Sequence, residues 1–258
     1  MGGMVTETGD YYLRTPDGLF LYYNFQDPGI SVGDGQSLDI GPSYVIGYAE
    51  AFLLGYLKPG MVYLDVGANN GYWYSMKIAK RLPECHVFAF EPDPRILVHL
   101  RNNVAFNKLA NAQVVAQALS DFRGVARLAV EMGGRSHLVA GGPAVAAIAV
   151  ECNTLDGFVR ENDIERIDAI KVDIEGGEYS FVKGATDSIM TFEPVMILEM
   201  TDALLKRSSS SVSQVAALLR ELGYGCYRIL GTNDGLCIPK AKLQLVGQIA
   251  WEQLAEIG

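Results

Sequence analysis

Three kinds of residue stand where a chain of this pattern can do chemistry: glycines in a turn after an apolar run, carboxylates at the ends of such runs, and a histidine in a glycine-rich stretch. The turn is Asp65-Val66-Gly67-Ala68-Asn69-Asn70-Gly71, which closes the apolar run Val62–Val66. Gly67 and Gly71 remove side chains where a ligand must touch backbone, and the helix expected to follow offers free N–H groups. A tight strand-to-helix turn without a ligand has the same pattern. Glu91 weighs against that reading, because it ends the next apolar run 24 residues after Gly67. An acidic residue at about that spacing accepts hydrogen bonds from both hydroxyls of a ribose.

These two signals specify an adenosine-type cofactor. A dinucleotide fingerprint needs glycines at positions 67, 69 and 72, where this chain has Gly67, Asn69 and Tyr72; close approach of a pyrophosphate is therefore disfavoured. No GxxxxGK[ST] phosphate loop is present. S-adenosylmethionine has a ribose and no phosphate, and its ammonium and sulfonium suit Asp65. Beyond the cofactor, Asp173 ends a later apolar run, with Glu175, Glu178 and Glu199 expected on the same rim. An acceptor hydroxyl is a poor nucleophile that a base assists. Asp173 is the first candidate, with Glu199 and with His137 in Gly133-Gly134-Arg135-Ser136-His137-Leu138 as further catalytic candidates. Crowded carboxylates also raise one another's pKa or hold a hard cation such as Mg²⁺ loosely. The plain alternatives are that Asp173 only holds the cofactor or caps a helix, and that Glu199 pairs with a basic side chain.

The elements that must position these groups alternate from Met61 onward. Strands are expected at Val62–Val66, Val87–Phe90, Gln113–Leu119, Ile167–Ile174, Pro194–Glu199, Tyr224–Leu230 and Leu243–Ala250, the apolar runs suiting burial on both faces. Helices are expected at Tyr44–Leu57, at Gly71–Leu82 ahead of Pro83, after the cap Asp93-Pro94, and after Ser211-Val212-Ser213-Gln214. Such alternation predicts an open, mainly parallel sheet with helices on both faces, whose ligand site lies beyond the carboxyl ends of the strands. Residues 1–60 read as a lead-in and 61–258 as the cofactor-binding domain. An insertion, Asp121–Val150, is expected to form a hairpin or a loop over the site, with Tyr44 and Tyr48 of the lead-in closing the other side. The run Ser208–Ser211 reads as a mobile surface turn.

The ordered blocks Tyr11–Gly18, Leu64–Gly71, Phe90-Glu91-Pro92-Asp93-Pro94, Ala118-Leu119-Ser120-Asp121, Thr154-Leu155-Asp156 and Ile170–Glu178 resemble the FkbM-type methyltransferases. The resemblance implies the α/β class I methyltransferase fold, Rossmann-like, with a seven-stranded mainly parallel sheet whose last strand is antiparallel. It also implies methyl transfer to oxygen, usually a hydroxyl of a sugar, polyketide or other natural product. By the same resemblance Asp65, Gly67, Asn69 and Gly71 line the methionine end of the cofactor; Ala68 and Asp173 are further cofactor-binding candidates. Glu91, beside Pro92, holds the ribose, and Ala118 and Leu119 lie near the adenine. A nicotinamide-dependent oxidoreductase, or a non-catalytic binding protein on the same fold, are the rival readings.

Bulk properties narrow the partners. Of 258 residues 49% are hydrophobic and 20% charged, enough for a packed core. A net charge of -9 removes the general attraction for phosphate backbones, so no nucleic-acid partner is expected. The apolar runs are too short to span a bilayer and no signal peptide precedes them, which leads us to expect a cytoplasmic protein with a small-molecule acceptor. Cys85, Cys152, Cys226 and Cys237 form no CxxC pair, and His86, His99 and His137 form no metal-binding spacing. We therefore expect no tightly bound transition metal and buried, reduced cysteines.

Overall fold

Apolar runs bounded by turn residues become the strands of one large sheet. The computed structural model describes residues 3–7, 10–23, 47–131, 136–139, 146–246 and 254–257. Strands β1 (Gly3–Val5), β2 (Tyr11–Arg14) and β3 (Phe20–Tyr23) precede helix α1 (Tyr48–Tyr56). Alternation follows in β4 (Val62–Val66), α2 (Ser75–Arg81), β5 (His86–Phe90), α3 (Pro94–Phe106) and β6 (Ala112–Val115). Short β7 (Ala118–Leu119) precedes the insertion, which carries β8 (Gly124–Ala129), β9 (His137–Leu138) and most of β10 (Ala147–Asn153). Then come α4 (Leu155–Glu161), β11 (Ala169–Val172), α5 (Glu178–Lys183), α6 (Thr186–Phe192) and β12 (Val195–Glu199). The chain ends with α7 (Asp202–Leu205), α8 (Val212–Glu221), β13 (Tyr224–Ile229), β14 (Asp234–Pro239) and β15 (Leu254–Glu256).

The main sheet has the order β15-β13-β14-β12-β11-β4-β5-β6. Strands β4, β5, β6, β11 and β12 are parallel, and β14 runs antiparallel to β12. The order reverses between β4 and β11, which makes their carboxyl ends the switch point where ligands bind in such sheets. Both faces are covered. Leu64, Val66, Ile170 and Val172 pack under Phe158, Phe181 and Leu219, whereas Tyr63, Ala169, Val195 and Ile197 pack under Phe52, Leu53, Met76 and Ile78. Two polar exceptions, Asp65 and Lys171, stand side by side in register on the second face.

Several elements differ from the expected ones. The run Gln113–Leu119 divides, because Val115 ends the pairing with β5 while Ala118 pairs with Cys152 of β10. With β7 the insertion forms a four-stranded sheet, β7-β10-β8-β9. Helix α2 starts at Ser75, since Gly71 at φ 83° turns the chain first. The described part of Leu243–Ala250 is a 3-10 helix, Lys240–Val246. The antiparallel strand next to β12 is instead Asp234–Pro239, and Leu254–Glu256 adds an eighth strand at the edge. Ser208–Ser211 is tied down: Ser208 Oγ reaches Gly176 O, Ser210 Oγ donates to Leu205 O, and Ser211 caps α8 through Gln214 N–H. The Asp93 cap forms as expected, accepting from Arg95 N–H.

The lead-in sheet β1-β2-β3 is fastened by amide side chains of α3. Asn107 accepts from Phe20 N–H at 2.9 Å and donates to Phe20 O at 2.7 Å. Asn103 accepts from Tyr22 N–H at 2.6 Å and donates to Asn70 O at 2.8 Å, so one buried amide joins the lead-in to the glycine turn. Tyr12 stacks on Phe106 with ring centroids 3.8 Å apart.

The turn itself is held against β11 by contact with backbone. Gly67 has φ 86°, and a Cβ there would lie 1.9 Å from Asp173 O. Gly67→Ala is therefore expected to lower the unfolding free energy by about 1–3 kcal/mol, the range for forced overpacking, as read from urea denaturation. An unchanged urea midpoint would mean that the two strand ends are free to part.

Candidate functional site

Beyond the carboxyl ends of β4, β5 and β11 lies a cavity of about 410 Å³, a size typical of small-molecule sites. The glycine turn forms one wall through Gly67, Ala68 and Asn69. Gly67 and Ala68 both donate their N–H to Phe90 O, at 3.1 and 2.9 Å, which folds the turn over the end of β5. Asn69, at φ 53°, turns its own N–H onto Glu91 Oε2 at 3.0 Å. The other oxygen of Glu91 accepts from Asp93 N–H at 2.9 Å. Glu91 is thus buried, pinned at both oxygens by backbone, with a lone pair left on each. Burial outweighs these bonds and pushes its pKa up to about 7. Next to it the wall is apolar, formed by Phe90, Ala118, Leu119, Leu128 and Leu138.

The opposite end is acidic. Asp65 is buried and accepts from Ser75 through both N–H, at 3.0 Å, and Oγ. Burial raises its pKa to about 6 against those bonds and the nearby Lys171 ammonium. Lys171 Nζ lies 3.2 Å from Asp173 Oδ2 and 3.1 Å from Asp234 Oδ1. Burial would lower the lysine, but the two carboxylates outweigh it and hold the ammonium charged, well above the ordinary range. Asp173, Glu175 and Glu199 each bring a carboxylate oxygen within 4.8 Å of the others. Among the described residues Glu199 pairs with no basic side chain, and its Oε2 is buried without a hydrogen bond. Burial and then the carboxylates of Asp173, Glu175 and Glu178 push it up to about 8.

The insertion reaches the cavity as expected, and as a strand rather than a loop. His137 on β9 lines it, with Nδ1 3.6 Å from Glu131 Oε1 and 3.5 Å from Arg207 Nη1. Ser136 Oγ donates to Asp93 Oδ2 at 2.9 Å, which fastens that strand to the cap of α3. Gly133, Gly134 and Arg135 lie outside the described residues.

Of the residues expected to hold a cofactor, Asp65, Gly67, Ala68, Asn69, Glu91, Pro92, Ala118, Leu119 and Asp173 line the cavity. Gly71 stands behind it: a Cβ there would be 2.6 Å from Leu100 Cδ1, so this glycine serves the packing of α3 against the turn. Glu199 borders the acidic end without lining the cavity. Glu178 belongs to the backbone instead of the rim, being buried and accepting from Ile174 N–H and Gly176 N–H. Tyr48 is half-buried against the core cluster under the second face of the sheet and does not line the cavity, and Tyr44 lies outside the described residues. Sequence reasoning missed Trp73 and Tyr74 of the turn, and also Lys171 and Asp234. A lysine inside the apolar strand Ile170-Lys171-Val172 was a visible signal; Asp234 had none before β14 was placed.

Comparison with known proteins follows the same residues. The model of the methyltransferase FkbM domain matches residues 65–226. The 2-O-methyltransferase NoeI of Sinorhizobium fredii is 28% identical over 153 residues, covering 51% of this chain and 60% of that protein. The methyltransferase sdnD of Sordaria araneosa is 27% identical over 194 residues, covering 58% and 74%. The AMB antimetabolite synthetase AmbE of Pseudomonas aeruginosa is 28% identical over 206 residues, which are 65% of this chain and 10% of that much longer protein. The chain thus spans between a tenth and three quarters of the curated relatives it matches. A crystal structure of the methyltransferase FkbM from Methylobacillus flagellatus superposes with a TM-score of 0.50 at 20% identity, covering 74% of this chain and 47% of that one. The fold is the α/β, Rossmann-like class I methyltransferase fold. Among the described residues no helix is long and apolar enough to cross a membrane.

The buried carboxylates make stability depend on pH. Glu178 titrates near 4.5 ordinarily and near 7 in the fold, through burial. The folded chain therefore keeps a proton that the unfolded chain releases, and this contribution to stability is lost as the pH rises through about 7. Glu178→Gln stays neutral and keeps an acceptor oxygen. It is expected to flatten the fall in stability between about pH 4.5 and 7, measured as urea midpoint against pH. A wild-type slope in the variant would show that Glu178 ionises freely inside the fold.

Proposed function

The chain belongs to the FkbM methyltransferase family, and on that premise we propose that it transfers a methyl group from S-adenosylmethionine to a hydroxyl of a small molecule, a sugar or another natural product. The observation that carries the reading is Glu91, a buried carboxylate held by two backbone N–H groups at the edge of an apolar slot. That pairing matches a ribose followed by a flat base. Asp65 and Asp173 at the far end match the cationic end of the cofactor. Tyr72, buried where a dinucleotide fingerprint has its third glycine, weighs against a nicotinamide cofactor. An intact acidic end weighs against a decayed, non-catalytic site. The relative NoeI, named a 2-O-methyltransferase, supports oxygen as the acceptor atom.

S-adenosylmethionine supplies a methyl group already activated on a sulfonium. The chain's own work is to hold, align and deprotonate. Glu91 accepts the ribose hydroxyls, while Ala118, Leu119 and Leu128 hold the base. Asp173 would take the acceptor's hydroxyl proton as the oxygen receives the methyl group. His137, on the insertion, contacts the acceptor from the other side or shares the role of base. Holding the acceptor oxygen in line with that methyl group, with water excluded, would supply the rest. Mg²⁺ held loosely by Asp173, Glu175 and Glu199 is a second reading of the same rim, favoured by three oxygens converging within 4.8 Å.

Calorimetry is expected to give binding of both S-adenosylmethionine and S-adenosylhomocysteine, and Glu91→Ala to weaken it by about 1–3 kcal/mol. No binding to the folded wild type would end this reading, and unchanged affinity in the variant would move the ribose elsewhere. Transfer of labelled methyl to a panel of glycosides and phenols gives the second check. Asp173→Asn is expected to cut turnover roughly 10²–10⁴-fold while cofactor binding largely survives through Glu91 and Asp65, and His137→Ala to lower it. Full turnover in both variants would leave catalysis to positioning alone, and turnover indifferent to a chelator would remove Mg²⁺.

A further inference from the structure

Lys171 is a charge that the fold places where apolar residues would be expected. It sits in the middle of the sheet with 1% exposure, facing Asp65 across β4 and Ile197 across β12. An unpaired ammonium there would be prohibitive. All three of its protons find oxygens: Val172 O at 3.3 Å, Asp173 Oδ2 at 3.2 Å and Asp234 Oδ1 at 3.1 Å. With every proton engaged, Lys171 has no free site for acid–base exchange with a substrate.

The asymmetry lies in its two carboxylate partners. Asp234, at the start of β14, is largely shielded, with 18% of its side chain exposed. Asp173 keeps 44% exposed and lines the cavity. The backbone of Asp173 is fixed, since its N–H donates to Val66 O and its carbonyl abuts Gly67. Its side chain is fixed by Lys171 alone among the described residues: Oδ2 is bound, and Oδ1 accepts nothing. We propose that Lys171 is a positioning residue, anchored by Asp234, that clamps Oδ2 of Asp173 so that Oδ1 faces the point where the methyl group is transferred. The inference rests on the reading of Asp173 as the base. It adds the device that aims that base, and it links the terminal β13–β14 hairpin to the reaction.

Sinefungin, the S-adenosylhomocysteine analogue with an amine in the methyl position, reads the aim of Oδ1 without any acceptor. The wild-type chain is expected to prefer it to S-adenosylhomocysteine by about 10- to 100-fold, the worth of a charged hydrogen bond. Asp173→Asn should abolish the preference. Lys171→Met removes a positive charge and, by charge alone, would strengthen binding of a cation; loss of aim should instead erase the preference. Lys171→Met with Asp234→Asn leaves the net charge unchanged and removes the carboxylate that anchors the lysine, while Asp65 keeps its bonds from Ser75. That double variant should fold, bind S-adenosylhomocysteine normally and show no preference, while Lys171→Arg should keep it. A preference kept or increased in the double variant, with Asp173→Asn abolishing it, overturns the inference and leaves the role of Asp173 standing. A preference kept in Asp173→Asn, or absent from the wild type, removes Asp173 from the methyl position and the inference with it. Failure of both lysine variants to fold, while Asp173→Asn folds, assigns Lys171 to stability alone.

Discussion

One buried ammonium answers several carboxylates at the carboxyl end of the sheet. Asp65, Asp173 and Asp234 surround Lys171, and Glu199 stands just beyond. Charges this close in a poorly solvated place cannot all be ionised without a matching cation. Burial raises Asp65 to about 6 and, with the neighbouring carboxylates, Glu199 to about 8. A positive charge brought to this end would favour the ionised form of both, which agrees with the cofactor proposed above.

The same end of the sheet depends on a contact that has no side chain. Gly67 lets the turn after β4 lie directly against the carbonyl of Asp173, while Asp173 N–H bonds back to Val66 O. The turn that lines the proposed cofactor site and the strand end that carries the proposed base therefore move as one piece. Glu91 joins them through Asn69 N–H, and Asn103 ties the turn to the lead-in sheet. Such stitching costs little in entropy at the moment of reaction, because the groups are already ordered when a ligand binds.

The insertion completes the enclosure by a different route. Its strands pair with one another and with the short β7, and its edge strand is fastened to the rest by Ser136 on Asp93 and by Arg207 near His137. Away from the cavity Asp121 pairs with Lys183 and Arg123 with Glu161, while Leu128 and Leu138 form the wall on the cavity side.

Local pattern was enough for the strand–turn–helix around Gly67, for Glu91 at the next strand end, for the caps at Asp93 and Ser211, and for Asp173 beside the turn. Each of these rests on short-range chemistry: a turn that needs glycine, a cap that needs a side-chain acceptor, a buried strand that needs apolar residues. What lay beyond reach was pairing between distant segments. The split of Gln113–Leu119 between two sheets, the placing of Asp234–Pro239 beside β12, and Gly71 facing Leu100 rather than the cavity all depend on partners far away in the chain. Lys171 shows the division in one residue. Its charge in an apolar strand was plain from the sequence, as was Asp173 two residues on at the same strand end, but only tertiary structure brought Asp234 to it, because β14 is distant in the chain and the loss of water makes that meeting obligatory.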